Sequence, residues 1–152
     1  MDKLVPSAYT LHKDFQMSKN WVEDIHVMQG KYLTRQWVEK NPEKLQKFLE
    51  FRVDFLNEEL EETRKAVSEY DAEEIVDGLI DLCVVAIGTL DAFGVDPYKA
   101  WDEVLKANMN KEVGEKPSRP NPLGVPDLIK PDTWYPPSHE GNHGKFANLK
   151  GE

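Results

Sequence analysis

The stretch from Asp71 to Gly94 constrains the fold of this chain more than any other. Asp71, with Glu74 three residues on, forms an N-terminal capping signal. Gly94 supplies the matching C-terminal stop. Between them Ile75, Leu79, Leu82 and Ala86 recur at helical spacing and define one apolar face. A second face carries Val84, Val85 and Gly88, and a helix apolar on both sides is expected to be buried. Yet Glu74, Asp77 and Asp81 lie on that second face. An ionised carboxylate in such a place cannot stay unpaired; it needs a base, a hydrogen-bond network or a metal. No Lys, Arg or His occurs between Lys65 and Lys99, which thins the local choice of a base.

The preceding segment makes the metal reading concrete. A helix is predicted from Asn41-Pro42, with Pro at a permitted first-turn position, to about Tyr70. Leu45, Phe48, Leu49, Leu56, Leu60 and Val67 mark its apolar side, and Glu58-Glu59-Leu60-Glu61-Glu62 lies within it. At about 100° per residue, Glu59 and Glu62 fall on an edge shared with Phe48, Phe55 and Ala66. Glu61 and Lys65 point to the solvated side, and Glu58 is intermediate. Should the two helices pack side by side, Glu59, Glu62, Asp77 and Asp81 converge and repel one another. Hard divalent cations relieve that repulsion, and Mg²⁺ held by carboxylates usually handles phosphates. The pattern points to a metal-dependent enzyme acting on phosphate. A solvated face would explain Glu58 to Glu62 taken alone, and Glu74 could be a cap only; the acids on the buried helix favour the metal.

Residues 1–17 lack periodicity and read as an N-terminal arm. A first helix is predicted from Ser18, as cap, to about Thr34, with Val22, Ile25, Met28 and Tyr32 inward. Asp96-Pro97 opens a fourth helix whose Ala100, Trp101, Val104, Leu105 and Met109 are expected to face the core. The domain so defined, 18–113, is an all-α, four-helix antiparallel bundle. From 114 to 152 the composition changes. Prolines recur from Pro117 to Pro137 and exclude a long helix or a central strand. Leu123, Val125, Leu128, Ile129, Trp134 and Tyr135 are too apolar for a disordered tail. An extended segment packed on the bundle or on a neighbouring subunit is expected, with the glycine-bearing last dozen residues frayed. A helix pair apolar on both sides also implies that subunits complete the bundle, as a homodimer or homotetramer.

The formal charge of −9 argues against a nucleic-acid-binding surface. The apolar run Leu79 to Leu90 is too short to span a bilayer and carries Asp81, so no membrane partner is expected. With the single Cys83 reading as a small buried hydrophobe and no signal peptide in the polar first 25 residues, a cytoplasmic chain is expected.

Leu56-Asn57-Glu58-Glu59-Leu60-Glu61-Glu62, followed by Asp77-Gly78-Leu79-Ile80-Asp81-Leu82-Cys83-Val84-Val85, resembles the MazG-like all-α nucleoside triphosphate pyrophosphohydrolases. That superfamily includes phosphoribosyl-ATP pyrophosphatase and dimeric dUTPase, and its signature is Glu-Glu-x-x-Glu, then Glu-x-x-Asp leading into an apolar helix. Trp101 to Lys111 and the tail around Lys130-Pro131, Trp134 and Pro136-Pro137 are similar to phage and bacterial members. One departure stands out: with Asp81 in the family's Asp register, Gly78 occupies the expected Glu position and Asp77 substitutes for it. In the other register Glu74 and Asp77 form the pair.

The resemblance implies hydrolysis of a nucleoside triphosphate, deoxy and modified forms included, to monophosphate and pyrophosphate. Glu59, Glu62, Asp77 and Asp81, with Glu74 in reserve, would hold Mg²⁺, or Mn²⁺ in its place. Glu58, Glu59 and Glu62 form the expected catalytic set, Glu58 as acceptor of a water proton. Asn108, Lys111, Lys130 and His26 are the expected substrate-binding residues. Two rival readings differ in class. A di-iron bundle needs Glu-x-x-His motifs, whereas His12, His26, His139 and His143 all lie outside the two central helices. A non-catalytic nucleotide sensor or adaptor retaining the fold is the alternative function, and pyrophosphate release separates it from an enzyme.

Overall fold

The computed structural model describes residues 19–150. It contains helices α1 (Trp21–Lys31), α2 (Thr34–Lys40), α3 (Leu45–Ser68), α4 (Ala72–Ala92) and α5 (Pro97–Met109). Two short strands, β1 (Glu112–Val113) and β2 (Leu128–Ile129), and a 3₁₀ turn over Gly144–Asn148 follow. The all-α class read from the sequence is what is observed. No described helix is long and apolar enough to cross a membrane.

Side-chain caps set the helix starts. Asn20 accepts the Glu23 amide at 3.1 Å, so α1 begins at Trp21. The expected cap Ser18 lies outside the described residues, as does the arm before it. Asp71 accepts the Glu74 amide at 3.1 Å and opens α4. Asp96 accepts the amides of Tyr98 and Lys99 and opens α5. At the other end of α4, Gly94 takes φ +72°, the left-handed stop expected of it.

The first helix is shorter than its periodicity suggests. Leu33 adopts φ +60° and breaks the path, and α2, unread in the sequence, starts at Thr34. Left-handed backbone costs a non-glycine residue about 1 kcal/mol or more. Two things offset it. The break brings Val38 into the core at 1% exposure, and it turns Trp37 onto Phe48, ring centroids 5.4 Å apart. Tyr32, expected inside, is exposed as a result.

Helices α3 and α4 pack against each other along most of their length, antiparallel across the short Glu69–Asp71 connection. Gly78 marks their closest approach, because a Cβ there would lie 2.3 Å from Thr63 Oγ1. Further along, Arg52 of α3 donates to Val85 O and to Thr89 Oγ1. Gln29 of α1 donates to Gly88 O at 2.9 Å. Both side chains occupy the space that Gly88 leaves by lacking one. Three helices are thereby locked at one point of α4.

The core lies at the far end of α4, where Val38, Leu45, Ala92 and Phe93 are buried against Phe48 and Leu49. Phe146 and Leu149 from the last turn complete it. Phe146 stacks on Phe93 with centroids 4.3 Å apart, and the Lys145 amide donates to Phe93 O at 2.7 Å. A Cβ at Gly144 would sit 2.2 Å from that same Phe93 oxygen. The expectation of a frayed end is therefore corrected for the described residues up to Lys150: Gly144 permits a close return of the chain. On its way back the tail tracks α5. Trp134 bonds Ala107 O, Ser138 bonds Glu103, and Asn142 exchanges two bonds with the Asp96 backbone.

Two further expectations are overturned. Helix α4 buries the side that bears Gly78, Val85, Gly88, Thr89 and Ala92, while Leu79 and Ala86 on its other face are exposed. Trp101 and Met109 of α5 do not enter a core; they are 64% and 76% exposed. Helix α5 packs only sparsely on α4, and the tail covers a different strip of it.

Candidate active site

Glu59 sits one turn before Thr63 on α3, and Thr63 Oγ1 donates to the Glu59 carbonyl at 2.8 Å. Thr63 faces Gly78, so the turns carrying Glu59 and Asp81 leave this contact point side by side. Both carboxyls are half-buried, whereas Glu58, Glu62, Glu74 and Asp77 are exposed.

The electrostatics record the convergence. Burial pushes the Glu59 carboxyl above the ordinary range, and the charges of Asp81, Glu62, Glu58 and Asp77 push it further. Asp81 is raised by burial, by the charge of Asp77 and by a hydrogen bond with the Asp77 carboxyl. Four of the five acids named from the sequence as ligands thus act on one locality. Glu74 is not among those that act on Glu59, and it stands exposed in the first turn of α4.

Among the described residues, no three acidic, His or Cys side chains close into a ready-made metal cage. The donor set nevertheless suits magnesium. It consists of carboxylate oxygens alone, it is destabilised by its own charge, and its members Glu62 and Asp77 are open to solvent. Magnesium keeps several waters and takes only one or two carboxylates, so a closed protein cage is not required.

The other expected residues fall in two places. His26 is not at the acids. Its Nδ1 lies 2.6 Å from Asp91 Oδ1, and Arg35 bonds Asp91 Oδ2 at 2.9 Å and His26 O at 2.7 Å. Asp91 is ten residues beyond Asp81, about 15 Å along α4. Asn108 and Lys111 occupy the end of α5, where the Lys111 amide donates to Asn108 O at 3.2 Å. Lys130 meets Lys111 there, both ammonium groups lying over the Trp134 ring.

Sequence reasoning missed Arg52 and Arg35. Arg52 is half-buried between α3 and α4, and desolvation lowers its pKa. The stretch without bases between Lys65 and Lys99 hid these cations, which reach α4 from elsewhere in the chain. Gly88, a glycine inside an apolar helix, was the one signal that something large approaches there.

The antiparallel pair α3–α4, with its acids beside the Thr63–Gly78 contact, lies wholly within the part of the chain that matches a known family. Residues 32–108 match the phosphoribosyl-ATP pyrophosphohydrolase family, and the chain belongs to that family, within the MazG-like superfamily. The matched region holds all the acids from Glu58 to Asp81 and ends at Asn108, before Lys111 and the tail. No curated protein and no solved structure matches the chain.

Proposed function

We propose that the protein is a magnesium-dependent nucleoside triphosphate pyrophosphohydrolase releasing a monophosphate and pyrophosphate. The observation that carries this reading is Glu59, one turn from the Thr63–Gly78 contact, raised by burial and by acids of both helices, beside Asp81, raised by burial and by Asp77. A fold that gathers unpaired carboxylates at its tightest helix contact is built to be completed by cations. Glu59, Glu62, Asp77 and Asp81 hold Mg²⁺, with Mn²⁺ able to replace it. Bound magnesium supplies positive charge against the phosphates and acidifies water. Glu58 is exposed beside this group and takes the proton of the water whose oxygen attacks the phosphate, pyrophosphate leaving as the bond behind it breaks. Asn108 and Lys111 bind the phosphate chain as neutral donor and point charge.

A second copy of the chain completes the bundle in this reading. Val76, Leu79 and Ile80 of α4 and Trp101, Leu105 and Met109 of α5 form apolar surface left exposed among the described residues. Light scattering on an eluting sample should give a dimer or tetramer mass.

The test of activity is pyrophosphate release from a panel of canonical, deoxy and modified nucleoside triphosphates, with phosphoribosyl-ATP included because the family's name carries it. Turnover should require Mg²⁺, stop on chelation and vanish in Glu62→Gln and Asp81→Asn with helical content unchanged. Tight nucleotide binding with no pyrophosphate from any substrate would instead favour a sensor.

A further inference from the structure

The end of α5 carries a second convergence of like charge, opposite in sign to the first. Strands β1 and β2 pair antiparallel with Glu112 opposite Ile129 and Val113 opposite Leu128. Carried one residue outward, the same register sets Lys111 across from Lys130. Like charges placed opposite each other on paired strands are unfavourable. Among the described residues, neither lysine forms an ion pair with a carboxylate, in a chain where acids outnumber bases. Both ammonium groups lie instead over one indole: Lys130 Nζ is 4.6 Å and Lys111 Nζ 5.8 Å from the Trp134 centroid. Each distance is within the range of cation–π attraction.

Trp134 is itself fixed. Its Nε1–H donates to Ala107 O at 2.6 Å, satisfying a carbonyl in the last turn of α5 that has no helical partner. Its amide donates to Pro131 O at 2.9 Å, which turns the chain directly after Lys130. The ring is therefore anchored to the helix that bears Lys111 and to the segment that bears Lys130. If stapling the tail to α5 were the whole purpose, a carboxylate opposite either lysine would serve better than a second cation.

We propose that Trp134 is a positioning residue that holds Lys111 and Lys130 as a paired-cation site for the polyphosphate of the substrate nucleotide. The inference rests on the pyrophosphohydrolase reading for its substrate, and it assigns the tail a part in binding. Trp134 acts through the two lysines and does not touch the reacting atoms. Loosening either lysine costs affinity for the phosphate chain and leaves the chemical step to the acids of α3 and α4.

The experiment compares Trp134→Leu, Trp134→Phe, Lys130→Ala and the Trp134→Leu/Lys130→Ala double variant, as full chains. Steady-state kinetics with a nucleoside triphosphate are paired with calorimetric binding of inorganic tripolyphosphate. Trp134→Leu and Lys130→Ala should each raise KM about tenfold, with kcat changed less than about twofold. The double variant should be worse than Lys130→Ala alone, because Lys111 is then loosened too, but by less than the product of the two single effects; Trp134→Phe should recover part of the loss because the ring remains. Tripolyphosphate affinity should follow KM and weaken steeply with salt. Unchanged KM and tripolyphosphate affinity in Lys130→Ala, a surface change that leaves the fold intact, would overturn the proposal. So would a fall in kcat alone, which marks Trp134 as a staple. If the unaltered chain hydrolyses no nucleotide but the variants still lose tripolyphosphate, the hydrolase reading fails and the cation pair survives as a phosphate site.

Discussion

Replacing Gly78 by alanine should destabilise the protein and weaken its site, although alanine is the better helix former. In an exposed helix the exchange gains roughly 1 kcal/mol. Here the new methyl would stand 2.3 Å from Thr63 Oγ1 and 3.3 Å from Thr63 Cβ. Thr63 can rotate its hydroxyl away only by breaking the bond to the Glu59 carbonyl, worth about 1 kcal/mol. Its Cβ stays where it is, so α3 and α4 must also part, at an overpacking cost of roughly 1–3 kcal/mol. The balance is a net loss of about 1–3 kcal/mol, and each kcal/mol lowers the melting temperature by about 2–4 °C for a chain of this size. The assay is thermal unfolding followed by circular dichroism at one fixed protein concentration. Thr63→Ala removes the hydroxyl but keeps the Cβ, so the double variant should recover the hydroxyl's part of the loss, a coupling of about 1 kcal/mol in the double-mutant cycle. A Gly78→Ala protein as stable as the parent, or a double variant no better than the single, would refute the close approach. Gly78→Glu, which installs the acid that the family's pattern leads one to expect there, should fail to fold.

Asp81→Asn should abolish turnover yet raise the stability of the metal-free protein, because it removes repulsion within a crowded group of acids. Like-charge pairs on helices cost about 0.2–0.5 kcal/mol each, so a gain of about 1–3 °C in melting temperature is expected. The same variant should lose the thermal shift that Mg²⁺ gives the parent, about 1.4 kcal/mol at tenfold excess over Kd. The pH dependence has a definite sign. Glu59 and Asp81 titrate above their unfolded values, so their penalty is fully present above the raised pKa and disappears as pH falls towards the ordinary carboxylate range. The metal-free protein should gain stability on mild acidification through that window, and saturating Mg²⁺ should cancel the gain. Asp127, held low first by its hydrogen bond to Arg119, behaves oppositely. Its contribution is present above the unfolded value and is lost as pH falls through the depressed one, which thermal unfolding of Asp127→Asn beside the parent across that pH range should report. Phe146→Ala should cost about 2–3 kcal/mol, since a half-buried ring stacked on Phe93 is removed, and should lower the denaturant midpoint without changing KM.

Much of this was legible because helices announce themselves through local chemistry. The caps at Asp71 and Asp96, the stop at Gly94 and the inward turn of Glu59 and Asp81 all follow from spacing and side-chain type. What escaped was set by distant parts of the chain. Leu33 carries no turn signal; its left-handed backbone is tolerated because Val38 and Trp37 find Phe48 and Phe93. Gly144 reads as a loose end until Phe93 O is seen at the place its side chain would occupy. The apolar face of α5 has the period of a core helix, and periodicity cannot say whether its own chain or another covers it. Nothing in the spacing of α3 singles out Arg52, because its seat is made by an absence on α4, at Gly88.

Gly78 ties the departure from the family's pattern to the geometry of the site. Read along the sequence, it is a missing acid. In the fold it points at Thr63, into the seam between α3 and α4, where no carboxylate could be accommodated. The neighbouring acid, Asp77, stands on the open side of the same turn and within hydrogen-bond reach of Asp81. Losing a side chain at the seam lets the helices close, and closing them brings the charge of Asp81 to bear on Glu59. The glycine therefore does not dilute the acidic cluster; it sets how strongly the remaining carboxylates repel one another, and hence how much a cation gains by joining them.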